Sequence, residues 1–139
     1  MTKYEILKLK TETIKEATRY LNNSKTMLRE KAGKKDKFYT DAKYVKTACG
    51  TAYNGVLIVL DAYIKIKGET YKLPKNGHKS IDYYRQNINA KDTVLINHLN
   101  AAYDVLHLSG YYEGILKVST ITDGINSLKD IISHFKLKC

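Results

Sequence analysis

The sequence predicts an all-α fold, an up-and-down bundle of four long helices plus one short crossover helix. Three observations carry that expectation. Apolar residues recur at spacings of three, four and seven along most of the chain, the period of a buried helical face. No stretch sustains the apolar–polar alternation of a strand. Residues 39–67, YTDAKYVKTACGTAYNGVLIVLDAYIKIK, carry at their centre the five-residue apolar run 56–60. A helix shows such a run on every side, so it must be covered on every side. The 139-residue chain fits a single helical-bundle domain over residues 1–139. At that size a domain buries about two thirds of its unfolded surface and needs no staple.

The first helix is expected over residues 3–32. Leu7, Ile14, Leu21 and Leu28 repeat every seven residues, with Ala17 and Ser24 at the other seam positions. Glu5, Lys8, Glu12, Lys15, Glu16 and Arg19 form a mixed-charge outer face, spaced for pairs such as Lys8–Glu12. Gly33 ends this helix. Lys31, Lys34, Lys35 and Lys37 then crowd a short loop broken by Asp36. Lys34, Lys35 and Lys37 are candidate anion contacts. The simpler alternative is that cations gather where a helix macrodipole ends.

The second helix, 39–67, spans roughly 40 Å at about 1.5 Å per residue, with Thr40 as N-cap and Asp41 in its first turn. Ala48, Thr51, Ala52 and Gly55 make a strip of small side chains that admits a neighbouring helix closely. This helix is therefore the expected central post. Asn54 and Asp61 interrupt its apolar part on one face, and a polar pair there needs hydrogen-bonding partners or a cavity. Gly68 ends it. Residues 68–77, GETYKLPKNG, hold the only proline and read as a crossover loop, with Lys65, Lys67, Lys72, Lys75 and Lys79 in and around it. A short helix from about 78 to 88 turns Ile81, Tyr84 and Ile88 inward. Asn89 caps a fourth helix, with Asp92 in the reciprocal capping position; Leu95, Leu99, Ala102 and Leu106 face the core. That helix runs to about 109, and Gly110 breaks it. The last helix, about 111–135, follows the seam Val118, Ile121, Ile125, Leu128, Ile132 and Phe135, with Gly124 marking a point where it could divide.

The net charge of +10, from 24 basic and 14 acidic residues, favours anionic partners such as RNA, a nucleotide or an acidic protein, beside the plainer reading of a solvated lysine-rich surface. Only Arg19, Arg29 and Arg85 are arginines, which argues against geometric, sequence-specific nucleic-acid recognition. Cys49 reads as a small buried apolar residue and Cys139 as an accessible thiol; two such cysteines are no disulfide framework. The opening residues lack the apolar core of a signal peptide, and no run approaches a membrane span. No membrane association is expected, and the cytoplasm is. Twelve tyrosines against two phenylalanines fit rings buried with their hydroxyls at an edge.

The sequence shows little catalytic chemistry. His78, His98, His107 and His134 occur in no H-x-x-x-H or E-x-x-H pattern, and no C-x-x-C is present, so neither a metal nor a cofactor is expected. His98 and His107 fall on opposite sides of their helix. Asp104 and His107 are spaced to form a surface hydrogen-bonded pair. Phosphate-binding, dinucleotide-binding and nucleophile-elbow motifs are absent. No catalytic residue is assigned. The candidate site is a polar pocket of Asn54, Asp61, His78 and Arg85.

Ala48, Ala52, Tyr53 and Asn54, the apolar run 57–62, Lys67 with Gly68, and His78 after the crossover together resemble the HEPN superfamily of small, often dimeric bacterial helical bundles. Over most of its length the chain is also similar to an uncharacterised, tyrosine-rich bacterial branch of such bundles. HEPN ribonucleases carry an arginine followed shortly by a histidine on one late helix. No histidine so follows Arg19, Arg29 or Arg85. The resemblance therefore implies the non-catalytic side of that superfamily, including partner or substrate-binding subunits of minimal nucleotidyltransferases. The expected function is a non-catalytic binding or scaffold protein, a homodimer through the tyrosine-bearing face of the fourth or fifth helix. RNA or nucleotide binding through the lysine-rich loops 31–37 and 65–79 is the second expectation. A degenerate HEPN ribonuclease is the third.

Overall fold

The computed structural model describes residues 1–67, 74 and 76–139. The chain forms α1 (Lys3–Glu30), a hairpin of β1 (Lys34–Lys35) and β2 (Phe38–Tyr39), α2 (Ala42–Lys67), α3 (Ile81–Asn87), α4 (Thr93–Ala102), a π-helix (Tyr103–Tyr112) and α5 (Val118–Lys138). It is the all-α bundle that the periodicity predicts. The four long members are α1, α2, the continuous α4–π-helix unit and α5, and α3 is the short one.

The second helix is the central post, packing against α1, the π-helix and α5. Val56, Val59 and Leu60 are buried, while Leu57 and Ile58 are only partly covered. The sheath is therefore open on one side of the apolar run. Around it the largest enclosed side chains are Phe135, Ile64, Leu95, Leu99, Leu106, Ile121, Leu128 and Ile131.

Thr2 caps α1, its side chain accepting from Glu5 N at 3.0 Å. The inner face of α1 runs through Leu28, Ser24, Leu21, Ala17 and Thr13, then Leu9, and leaves Leu7 63% exposed. A strict seven-residue stripe drifts about 20° per repeat on a straight helix, so the heptad that begins at Leu7 slides off the contact face.

The lysine loop is a hairpin. Lys34 pairs with Tyr39 and Lys35 with Phe38, and Asp36 takes the left-handed conformation (φ 57°) at the two-residue tip, as such turns require. Tyr39 N donates to Leu116 O at 2.8 Å and Val118 N to Lys37 O at 2.9 Å, which ties the hairpin to the start of α5. This use of residues 38–41 delays α2 to Ala42. Thr40 is not its N-cap: its hydroxyl donates to Ala32 O at 3.3 Å, and Asp41 Oδ1 accepts from Lys43 N at 3.2 Å instead. The expected stop at Gly68, and Lys72 and Lys75 of the crossover, lie outside the described residues.

Ser80 caps α3, accepting from Tyr83 N at 3.3 Å. Asp92, not Asn89, caps α4, its Oδ1 accepting from Leu95 N at 3.1 Å; Asn89 accepts from Lys91 N at 2.9 Å in the preceding turn. Gly110 does not break the fourth helix but lies buried within the π-helix. A Cβ there would overlap Cys49 Sγ and stand 2.9 Å from Cys49 Cβ, so the glycine serves close approach to α2. The last helix begins at Val118 rather than 111, and it runs unbroken through Gly124. A Cβ at Gly124 would stand 2.8 Å from Leu106 Cδ2, so this glycine too is a packing residue. Among the described residues, no helix is long and apolar enough to cross a membrane, and no group of three or more His, Cys, Asp or Glu could hold a metal ion.

Candidate functional site

The gap in the sheath beside Leu57 opens into a hollow of about 450 Å³ between α2, the π-helix and the segment leading into α3. Helix α2 contributes Gly50, Tyr53 and Asn54, the π-helix Tyr103, His107 and Tyr111, and the α3 lead-in His78 and Lys79. A π-helix closes its hydrogen bonds five residues back and is frequent at functional positions; here Glu113 N still donates to Leu108 O at 2.9 Å as the segment ends.

His107 is the hub of the wall. Its ring stacks on Tyr53 (4.8 Å between centroids, 27°), on Tyr103 (5.3 Å, 29°) and on Tyr111 (6.4 Å, 8°). Tyr112 meets it edge-on at 5.0 Å and 85°. Each arrangement suits aromatic quadrupoles. Gly50 leaves room for the Tyr111 ring, which a Cβ at that position would touch at 3.4 Å. Burial lowers the His107 pKa, so the imidazole is neutral at pH 7, with one N–H donor and one acceptor. Burial also pushes the Tyr53 hydroxyl up to about 12, Tyr103 adding to the rise and Arg85 opposing it. Tyr53 therefore stays protonated.

The structure brings together two of the four residues named for a polar pocket. Asn54 and His78 both line the hollow, and both are exposed. Asp61 and Arg85 do not line it but contact residues that do. Asp61 Oδ1 accepts from Tyr84 OH at 3.0 Å and from Lys79 Nζ at 3.2 Å, so it holds a lysine of the wall. Arg85 Nε donates to Asn100 Oδ1 at 2.9 Å, and its guanidinium lies 5.6 Å from the centre of the Tyr103 ring, a cation–π contact. The ring wall was legible in one respect: Tyr103, His107 and Tyr111 recur every four residues. Tyrosine abundance reads as packing, however, and the Asp104–His107 spacing draws attention to the wrong neighbour. Asp104 is exposed, while His107 is turned into the rings.

Lys34, Lys35 and Lys37 are elsewhere, exposed on the hairpin. Lys34 lies 5.8 Å from the Tyr39 ring centre and borders a separate hollow of about 460 Å³ with Lys25 and Arg29 of α1; Lys35 and Lys37 do not line it.

A second polar centre joins three elements. Asp92 Oδ2 accepts from Tyr63 OH and from His134 Nε2, each at 2.8 Å. Burial works against the Asp92 charge, but the hydrogen bonds from His134, Tyr63 and Leu95 N prevail and hold its pKa below the ordinary carboxylate value. Burial and Asp92 together raise the Tyr63 pKa. No sequence pattern marks this centre, because its members are far apart in the chain.

The family described as a domain of unknown function, DUF5618, matches over residues 12–136. A solved structure of a protein of unknown function from Dyadobacter fermentans is similar with a TM-score of 0.80 and 36% identity, over 93% of this chain and 97% of that one. No curated protein matches.

Proposed function

The chain belongs to the DUF5618 family, and we propose that it is a non-catalytic binding protein whose ring-walled hollow takes a planar, negatively charged ligand, a nucleotide first of all. The observation that carries this reading is the stack of Tyr53, His107, Tyr103 and Tyr111 beside Lys79 in one hollow of about 450 Å³. A neutral ring wall offers faces for a base, with stacking worth roughly 1–3 kcal/mol per base. Asn54 and the His107 ring nitrogens supply hydrogen-bonding edges, and Lys79 and His78 supply donors for a phosphate. The volume suits a small ligand.

The chain has no tryptophan and twelve tyrosines, three of which, Tyr53, Tyr103 and Tyr111, line the hollow, so part of its emission comes from the wall. Titration with adenosine and guanosine monophosphates is expected to quench that emission saturably. His107→Ala should weaken the binding about tenfold, the loss of one stacking partner. Absence of quenching at millimolar nucleotide, or quenching that His107→Ala leaves unchanged, ends the reading.

A second reading is an interface. Tyr111, Tyr112, Phe38 and Ile115 are exposed on the π-helix, the hairpin and the turn before α5. Exposed aromatic residues of this kind are enriched at protein contacts. They support a homodimer, or a partner subunit of a nucleotidyltransferase-type pair, as in the non-catalytic branch of the bacterial HEPN bundles that the sequence resembles. Light scattering at micromolar concentration tests the dimer, and a strict monomer removes it. For a degenerate ribonuclease the geometry offers less support, since Arg85 is committed to Asn100 and the Tyr103 ring.

A further inference from the structure

Three turns beyond Tyr53 along α2, about 15 Å at about 1.5 Å per residue, the Tyr63–Asp92–His134 centre forms the floor of another hollow, of about 400 Å³. Its rim carries Lys67 from the end of α2, Lys91 from the turn before α4, and Lys138 from the end of α5. Three lysines from three separate elements thus line one space. The carboxylate beneath them is already taken: Asp92 accepts from Tyr63 OH, His134 Nε2 and Leu95 N. Among the described residues the ion pairs are Arg19–Glu16, Arg29–Glu30, Lys79–Asp61, Arg85–Asp82 and His134–Asp92. None neutralises a lysine of this rim.

Even with the Asp92 carboxylate counted against them, the three lysines leave an excess of positive charge, and an anion placed among them relieves their repulsion. The neighbouring Cys139 registers both signs of charge: burial raises its thiol pKa, Lys67 and Lys10 oppose the rise, and Asp92 adds to it. The floor is stiff as well as polar. His134 is 9% exposed, and its ring is fixed through Nε2 to a carboxylate that also caps α4. A fixed floor with mobile cations above it suits a small, highly charged group better than a flat or apolar one.

We propose that this hollow binds a phosphate group, free or at the end of a small phosphomonoester, with Lys67, Lys91 and Lys138 as its contacts and Asp92 and His134 as positioning residues. The site shares no lining residue with the ring-walled hollow, so either can fail without the other.

The test uses the histidine ring signals in NMR, with the His134 signal assigned by its loss in His134→Gln. Inorganic phosphate and glycerol 3-phosphate are titrated separately, with sodium chloride holding the ionic strength constant. A saturable shift of His134, with His107 unmoved, supports the site. Saturation by both probes makes free phosphate the minimal ligand; saturation by the ester alone makes its carbon chain part of the ligand. The double variant Lys67→Ala/Lys138→Ala should weaken binding at least tenfold with its thermal midpoint retained. The proposal is overturned if neither probe shifts His134 beyond the chloride control. Binding that is undiminished in the double variant also overturns it.

Discussion

His134 Nε2 donates to Asp92 Oδ2 at 2.8 Å across 42 positions of sequence, joining the last helix to the cap of the fourth. Tyr63 OH donates to the same oxygen at 2.8 Å. One carboxylate therefore performs two structural tasks: it starts α4, and it fastens α4 to α2 and α5. A half-buried acceptor with three donors is costly to disturb, because each donor left unpaired loses its solvation as well as its bond.

Asp92→Asn keeps a good capping side chain but replaces the charged acceptor with a neutral amide. At pH 7 it is expected to lower the unfolding free energy by about 1–3 kcal/mol, measured by urea denaturation. The pH dependence follows from the depressed pKa in the folded state. A depressed carboxylate contributes its stability in full above the unfolded value of about 3.9 and loses it as pH falls through the folded value. The gap between wild type and Asp92→Asn should hold from pH 7 to about 5 and narrow below about 4. A gap of the same size at pH 3 and pH 7 would show that the charge contributes nothing.

The elements most legible in the sequence are those whose evidence is local. The seam of α5, from Ile121 to Phe135, is periodic in itself, and the all-round apolar run of α2 demands cover whatever supplies it. What sequence reading missed is decided by partners distant in the chain. Gly110 and Gly124 have the composition of breaks, yet each is a point of contact fixed by Cys49 and Leu106. Asn89 and Asp92 are both capping residues by type, and the hydrogen bonds from Tyr63 and His134 accompany the choice of Asp92. The two-residue strands of the hairpin are too short to show alternation. In the candidate site, Asn54 stands out as a polar break in an apolar run, whereas Tyr103 and Tyr111 resemble any packed tyrosine until the π-helix lines them up with His107.

Gly110→Ala tests the approach of the π-helix to α2. The added methyl overlaps Cys49 Sγ and Cβ, and overpacking of this kind costs about 1–3 kcal/mol. Cys49→Ala removes the sulfur, so the double variant should recover part of the loss, a coupling that a double-mutant cycle in denaturant measures. Strict additivity of the two changes would mean that the helices separate rather than collide.

The two cysteines should differ sharply in reactivity. Burial pushes the Cys49 thiol up to about 12, and the thiolate is the reactive form. Cys139 is partly exposed and close enough to Lys67 and Lys10 for both to oppose its raised pKa. With an aromatic disulfide reagent at pH 8, one thiol per chain is expected to react in the folded state and the second only on unfolding. Cys139→Ser should abolish the first phase. Two thiols reacting together in native protein would contradict the packing of Cys49 against Gly110.

The ring wall makes a prediction about protons. His107 has its pKa lowered by burial, so it should titrate below the ordinary histidine value of about 6.5, as read from its ring signals in NMR. The unfolded chain then binds the proton more readily than the folded one, and the stability contributed by the neutral ring is present above about 6.5 and lost as pH falls through the folded value. Protonation also places a cation among Tyr53, Tyr103 and Tyr111. Removing one ring of the wall with Tyr53→Ala opens His107 to water and should move its midpoint back toward 6.5, whereas Lys34→Ala on the distant hairpin should leave it in place. A His107 midpoint at or above 6.5 in the wild type would mean that the ring is not enclosed by its tyrosines, and the hollow would lose the neutral stacking face on which the proposed nucleotide binding rests.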